Sequence, residues 1–300
     1  MLFRSGRDGG VFRATLNLLE EFGSDRVLDT PLAENLIAGM SIGMAAEGLK
    51  PVCEIQFSGF SYATIDQIIN HASRLRHRTR GRLSCPMVLR TPCGAGIHPP
   101  EHHSESPEAM FAHIPGIRVI YPSSPRRAYG LLLAAIRDPD PVVFHEPTRL
   151  YRLLKEEVVD EGIALPLDSC FTLREGTDIT LVSWGAMVYE TLQVADELSA
   201  QGVSCEVIDV ATLKIIDMDS ILASVARTGR CVIITEAPRH CSVASEIAAS
   251  LADEGLLSLL APVARVTAPD IIVPLPRLEQ HYLPGRAQIL DAIRKTLEFA

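Results

Sequence analysis

Five apolar runs divide the first half of the chain: RVLDT (26–30), KPVCEIQF (50–57), CPMVLRTP (85–92), RVIYPS (118–123) and PVVFHEP (141–147). Their hydrophobicity is nearly continuous rather than alternating, as befits strands of a parallel sheet covered on both faces. Parallel strands need long crossovers between them, and the amphipathic segments 34–47, 64–78 and 125–137 are of helical length. The rhythm breaks between about 148 and 177 in a charged, proline-containing stretch (YRLLKEEVVDEGIALPLDS), which reads as a linker. It then restarts. ITLVSWG (179–185), SCEVIDVATL (204–213), CVIITEA (231–237) and PVARVTA (262–268) read as strands, and 186–202, 218–228, 243–254 and 286–298 as helices. The expectation is an α/β chain of two parallel-sheet domains, residues 1–150 and 178–300, joined by a linker at 151–177.

With 300 residues, 47% of them hydrophobic, the chain can fill two cores. A net charge of −9 argues against general nucleic-acid binding, and the basic cluster RLRHRTRGR (74–82) reads as a helix end or a protein contact. The seven cysteines include no CxxC pair and several lie in strand-like runs, so they read as buried free thiols in a reducing compartment. No apolar stretch reaches about 18 residues and no signal peptide is visible, so the expectation is a cytoplasmic protein without a membrane span.

Three stretches invite a chemical reading. In DTPLAEN (29–35), Thr30 can cap a helix, Pro31 suits its first position, and Glu34 falls in the first turn. Spacing alone makes Glu34 an acid that interacts favourably with the helix dipole. Gly39 and Gly43 lie four apart on the same helix, which suggests close approach by another element, either internal or across an interface. In EIQFSGFSYATIDQ (54–67), Phe57, Phe60 and Tyr62 serve either the core or an aromatic platform for a planar ring. GAGIHPPEHHSESPEA (94–109) carries His98, His102 and His103. Its prolines preclude an ordinary helix and no cysteine or carboxylate set completes a zinc pattern, so an acid/base or substrate-binding loop at the end of a parallel strand is the better reading. There is no GxGxxG after a strand, no GxxxxGK[ST] and no GxSxG, so nothing here cradles a phosphate by a recognisable motif.

DGGVFRAT, DRVLDTPLAEN, PVCEIQFSGF, IDQIINHASRLRHRT, PMVLRTPCGAGIHPPEHHSESPEA, GLLLAAIRDPDPVVFHEP and RLYR occur in that order, followed by TLVSWGAMVYETL, TGRCVIITEAPR, LAPVARVTAPD and YLPGRAQILDAI. This ordered set resembles the β subunits of 2-oxoacid dehydrogenases, the thiamine-diphosphate-dependent first component of the pyruvate and branched-chain complexes. The resemblance implies a pyrimidine-binding α/β domain followed by a transketolase-type C-terminal domain. It also replaces the dipole reading of Glu34. In the family this glutamate hydrogen-bonds the aminopyrimidine of thiamine diphosphate and promotes the imino form that removes the thiazolium proton. Phe60 matches the aromatic residue stacked on the aminopyrimidine. His103 matches the histidine of substrate binding and acyl transfer to a lipoyl arm, and His98 matches a histidine present in only some members. Met87, Ala135, Ile136, Asp138 and Asp140 correspond to a monovalent-cation loop, commonly potassium, which acts largely through backbone oxygens. Diphosphate and Mg²⁺ are held by a separate α subunit. The resemblance therefore implies an α₂β₂ heterotetramer docked on a lipoyl acyltransferase core, with this chain supplying half an active site.

The chain also departs from the family. Family members begin with roughly 35–45 more residues, including a helix and the first strand, and this chain opens after them in glycine-rich MLFRSGRDGGVF; the expectation drawn is a misassigned start or a truncated product. DVATL places Ala211 where an arginine is common, and RHCSVAS follows EAPR where glycine-rich sequence is common. The GIHPPEHHSES loop is closer to pyruvate-type members than to branched-chain ones. The alternatives are a branched-chain or acetoin dehydrogenase subunit, or a non-catalytic paralogue that pairs with an α subunit.

Overall fold

The computed structural model describes residues 6–7 and 9–299, so residues 1–5 and Asp8 of the glycine-rich opening lie outside the described residues, as does Ala300. The chain forms two five-stranded sheets. The first has the order β1(Val52–Glu54)–β2(Val88–Cys93)–β4(Val142–Pro147)–β3(Arg118–Ile120)–β8(Thr212–Lys214). The second has the order β10(Ala264–Ala268)–β9(Cys231–Pro238)–β6(Ile179–Ser183)–β7(Cys205–Asp209)–β5(Phe171–Arg174). β1 to β4 pair in parallel, as do β6, β7, β9 and β10, while β8 and β5 each add an antiparallel edge. β2 and β4 are buried at every position, which is why their sequences show no alternation.

The long helices form where the sequence punctuates them. Ser124 accepts a hydrogen bond from the Arg127 amide and Pro125 opens the helix Pro125–Arg137. Asp217 caps Met218–Thr228, which ends at a left-handed Gly229. Other segments depart from expectation. Residues 26–30 form no strand; Asp29 instead accepts the amides of Gly6 (2.9 Å) and Arg7 (3.2 Å), tying that loop to the opening of the chain. The single helix expected over 64–78 is broken into Ser58–Thr64, Ile65–Asn70, Ala72–Arg74 and Leu75–Arg78, with His71 off helical geometry at φ −125°. The stretch 151–177 contains the end of a short helix, Leu150–Leu153, and strand β5.

The expected strand 204–213 is two strands in two different sheets. Ala211 takes φ 51°, which turns the chain after β7 and delivers β8 to the edge of the first sheet. The Ala211 carbonyl accepts the Tyr121 amide at 2.7 Å. Asp209, at the end of β7, meets Ser123 and lies 3.3 Å from Arg127. Burial pushes its carboxyl up to about 6, against the pull of Ser123 and Arg127. The two sheets are therefore joined by a covalently continuous strand pair as well as by packing.

Five cysteines are buried, Cys170 is half-buried and Cys241 is exposed; all seven are free thiols. Cys241 is the exception to the buried reading because it stands in the turn before the helix Val243–Glu254, at φ 51°. Among the described residues no helix is long and apolar enough to cross a membrane.

Candidate active site

Glu34 is the first residue of the helix Glu34–Ala46 and is half-buried. Thr30 does not cap this helix. Its N-cap is Ala33, which offers no side-chain acceptor, and the Thr30 hydroxyl donates to the Pro31 carbonyl. Glu34 therefore sits beside first-turn amides that no N-cap side chain satisfies. The helix packs against the tight turn Ser58–Thr64, with Asn35 accepting from Gln67 at 3.1 Å. Gly39 faces Gln67, whose Oε1 would lie 3.3 Å from an added Cβ; around Gly43 the space is open.

The turn Ser58–Thr64 carries Phe60, and the loop after β2 carries the histidines. They meet edge to face. The His103 ring lies 4.5 Å from Phe57 and 5.3 Å from Phe60, and His102 lies 4.9 Å from Phe60. Gly59 makes this possible: a Cβ there would fall 2.1 Å from the His102 carbonyl oxygen. Ser58 donates to the Glu105 carbonyl at 2.7 Å, and the Tyr62 hydroxyl donates to the Glu105 carboxylate at 3.1 Å. Among the described residues, His103 Nδ1 is buried without a hydrogen-bond partner. The result is a wall of two phenyl rings and an imidazole whose buried nitrogen has capacity to bind.

Beneath this wall three sheet neighbours carry charge. Arg90 on β2 meets Glu146 on β4 through Nε at 2.7 Å and a second nitrogen at 2.8 Å, and lies 3.4 Å from Glu54 on β1. Burial disfavours the guanidinium, but Glu146 and Glu54 hold its pKa above the ordinary value. Tyr151 donates to Glu146, and Phe12 stacks edge-on against both Tyr151 (4.8 Å) and Phe57 (5.6 Å). The glycine-rich opening thus covers Glu54: at Gly10, φ 79°, a Cβ would lie 2.9 Å from a Glu54 oxygen. No local pattern in the sequence pointed to this ion cluster.

The proposed cation residues lie at the far end of the first sheet. Met87 and Ala135 are buried, and Ile136 is half-buried. The Met87 carbonyl already accepts the Val142 amide at 2.9 Å, which leaves one lone pair. Asp138 pairs with Arg118 at 3.0 Å and accepts the Asp140 amide at 2.8 Å, and Asp140 pairs with Arg76 at 2.6 Å.

The seam between the two sheets holds a second polar cluster. Trp184 donates to buried Glu108 at 3.2 Å, and the Tyr121 hydroxyl lies 3.4 Å from Glu236. Arg149 lies 2.9 Å from Glu190 and 3.7 Å from Glu236. Burial pushes Glu236 up to about 7 despite Arg149, and raises Glu108 and Glu190 as well. Gly185, φ 57°, lets the chain pass Tyr121, whose ring would lie 2.3 Å from a Cβ.

Comparison with known proteins places this architecture. The transketolase pyrimidine binding domain matches residues 4–153, and the transketolase C-terminal domain matches residues 169–289. The pyruvate dehydrogenase E1 component subunit beta of Bacillus subtilis is 46% identical over 294 residues, covering 98% of this chain and 90% of that protein. The subunits of the same name from Staphylococcus epidermidis and Staphylococcus aureus are 46% and 44% identical over the same coverage. Among solved structures, a split-gene transketolase, an inactive β4 tetramer, aligns over 100% of this chain and 92% of its own with TM-score 0.81 at 21% identity, which shows the fold alone. By its two domains and by this identity along nearly its whole length, the chain belongs to the family of pyruvate dehydrogenase E1 component β subunits.

Proposed function

We propose that this chain is the β half of a thiamine-diphosphate-dependent pyruvate dehydrogenase, which decarboxylates pyruvate and passes the acyl group to a lipoyl-protein. The observation that carries this reading is the wall of Phe57, Phe60 and His103, packed beside the helix that opens with Glu34, in a chain 46% identical to subunits of that name. The residues fit the cofactor. Phe60 offers an aromatic edge and face to a planar pyrimidine, Glu34 offers an acceptor to a ring nitrogen, and the buried Nδ1 of His103 needs a polar partner.

When bound, the cofactor supplies the nucleophilic carbon and accepts the electron pair released with carbon dioxide. Glu34, in the first turn of its helix, holds or releases a proton at the pyrimidine nitrogen. Phe57 and Phe60 exclude water from one side of the ring and fix its tilt. His103 hydrogen-bonds substrate oxygen and gives a proton to the sulfur released when the lipoyl disulfide takes up the two-carbon unit: one sulfur becomes the acyl thioester and the other, reduced by the electron pair, becomes a thiol. Diphosphate and Mg²⁺ fall to an α subunit in an α₂β₂ assembly on a lipoyl acyltransferase core, since this chain carries no phosphate-cradling motif. The open face around Gly43 fits close approach by such a partner. A potassium ion at Met87, Ala135, Ile136, Asp138 and Asp140 would draw mainly on backbone oxygens, because Arg118 and Arg76 already engage the two carboxylates.

Co-purification of the tagged chain from its own host tests this reading, with the eluate assayed for 2-oxoacid decarboxylation in thiamine diphosphate and Mg²⁺. Pyruvate should turn over faster than 3-methyl-2-oxobutanoate, only with the partner present, and Glu34→Gln should cost about 100-fold or more in kcat. A partner recovered without turnover would leave a non-catalytic subunit; faster turnover of the branched substrate would reassign the specificity.

A further inference from the structure

The loop that carries His103 is held from the C-terminal domain. Glu279 is buried, its side chain only 1% exposed, and its two oxygens accept the backbone amides of Gly96 at 2.6 Å and His98 at 3.0 Å. Its Oε2 also meets Nδ1 of His98, a side chain that is 64% exposed. Around this contact Ala95 of the loop packs with Ala268, Val273 and Tyr282 of the C-terminal domain. His98 stands at φ 63°, a conformation that a non-glycine residue keeps only where its surroundings impose it. The other end of the loop is fastened within the first domain, where the Glu105 carbonyl accepts both the Gly94 amide at 2.9 Å and the Ser58 hydroxyl. The loop is therefore closed at its base by Glu105 and clamped at its crown by a carboxylate 183 residues downstream of Gly96.

We propose that Glu279 is a positioning residue for His103, through which the C-terminal domain sets the place of the acyl-transfer group. The role of His103 rests on the function proposed above. A proline-rich loop leaving the end of a strand samples many conformations, and a catalytic side chain has to be held to within about half an ångström. Two charge-assisted bonds to backbone amides supply that restraint without touching the reacting atoms. Glu34 lies on a different element, the helix Glu34–Ala46. Loosening the clamp should therefore hurt transfer to the lipoyl arm more than decarboxylation itself.

The assembled α/β complex tests this with two rates and one structural readout. The rates are dye-coupled decarboxylation of pyruvate and acylation of a free lipoyl domain. The readout is hydrogen exchange at the amides of Gly96 and His98. In Glu279→Ala both amides should exchange at least about tenfold faster, while β2 stays protected. Lipoyl acylation should fall about tenfold further than dye-coupled decarboxylation. Glu279→Gln keeps one acceptor and the side-chain shape, so it should fall between Glu279→Ala and the parent; it carries the test if the alanine variant fails to assemble. Equal losses in both rates, or unchanged exchange at Gly96 and His98, would overturn the proposal. If the parent complex fails to turn over pyruvate, the proposed function is at fault, and the exchange measurement still decides whether Glu279 holds the loop.

Discussion

The chain buries charge in two places and treats it in opposite ways. Under the aromatic wall, Arg90 is matched to Glu146 by two hydrogen bonds and lies 3.4 Å from Glu54, and the two carboxylates keep its guanidinium charged in the interior. At the seam between the sheets, Glu236 has a cation only at 3.7 Å, and burial dominates its titration. His145, beside Glu146 on β4 and facing the rings of Phe111 and Tyr121, has no charged partner among the described residues. Its imidazole is pushed down to about 3 by burial alone. One strand therefore carries an ion-paired Glu146 and a neutral His145 side by side, on opposite faces of one sheet. The difference teaches that burial by itself does not decide protonation here; the nearest fixed counter-charge does.

The largest way to break this comparison is to remove the counter-charge. Arg90→Met replaces the guanidinium with an apolar side chain of similar length and takes two hydrogen bonds from Glu146. Loss of one partner from a buried ion cluster should cost about 3–5 kcal/mol, read as a lower urea midpoint at unchanged slope. A cost below about 1 kcal/mol would mean that Arg90 does not hold the cluster together.

The next test sharpens the seam. Glu236 has its folded pKa raised from 4.5 to about 7. Between those values the unfolded chain has released its proton and the folded chain keeps it, so stability falls as pH rises across that window. Glu236→Gln should remove this falling contribution. Relative to the parent, the variant should gain about 2–3 kcal/mol between pH 5 and pH 7 in paired urea titrations. A pH-independent difference between the two proteins would show that Arg149 keeps Glu236 ionised throughout.

The fold was legible where physics is local. The helices read over 125–137 and 218–228 stand at those residues, where Ser124 and Asp217 cap them, and the continuous apolar runs of β2 and β4 are buried at every position. The division of 204–213 between two sheets was not legible, because period and propensity cannot say which neighbour a strand pairs with. The aromatic wall depended on two loops meeting through Gly59, which spacing cannot foresee; resemblance to a family placed Phe60 and His103, and spacing alone read Glu34 as an ordinary first-turn acid. Glu279 left no signal either. In RLEQHYLP it is a lone acid in a stretch with no recognisable motif, and its partners lie more than half the chain away.

The smallest effect expected is also the one that runs against the usual direction of core substitutions. Neither ring nitrogen of His145 has a hydrogen-bond partner among the described residues, and the side chain is fully buried. An unpaired buried polar group costs about 1–3 kcal/mol, so His145→Met, close in volume and able to pack between Phe111 and Tyr121, should stabilise the chain by about 1 kcal/mol at pH 7. The sign of its pH dependence is opposite to that of Glu236. The folded pKa is lowered from 6.5 to about 3, so the unfolded chain takes up a proton first and stability is lost as pH falls through that range. His145→Met should therefore gain further on the parent from pH 7 to pH 5, whereas Glu236→Gln should gain on it from pH 5 to pH 7. Thermal unfolding at the two pH values separates them. A destabilised His145→Met at pH 7 would mean the imidazole has a partner in solution, and that the seam, like the cluster around Arg90, satisfies its buried groups.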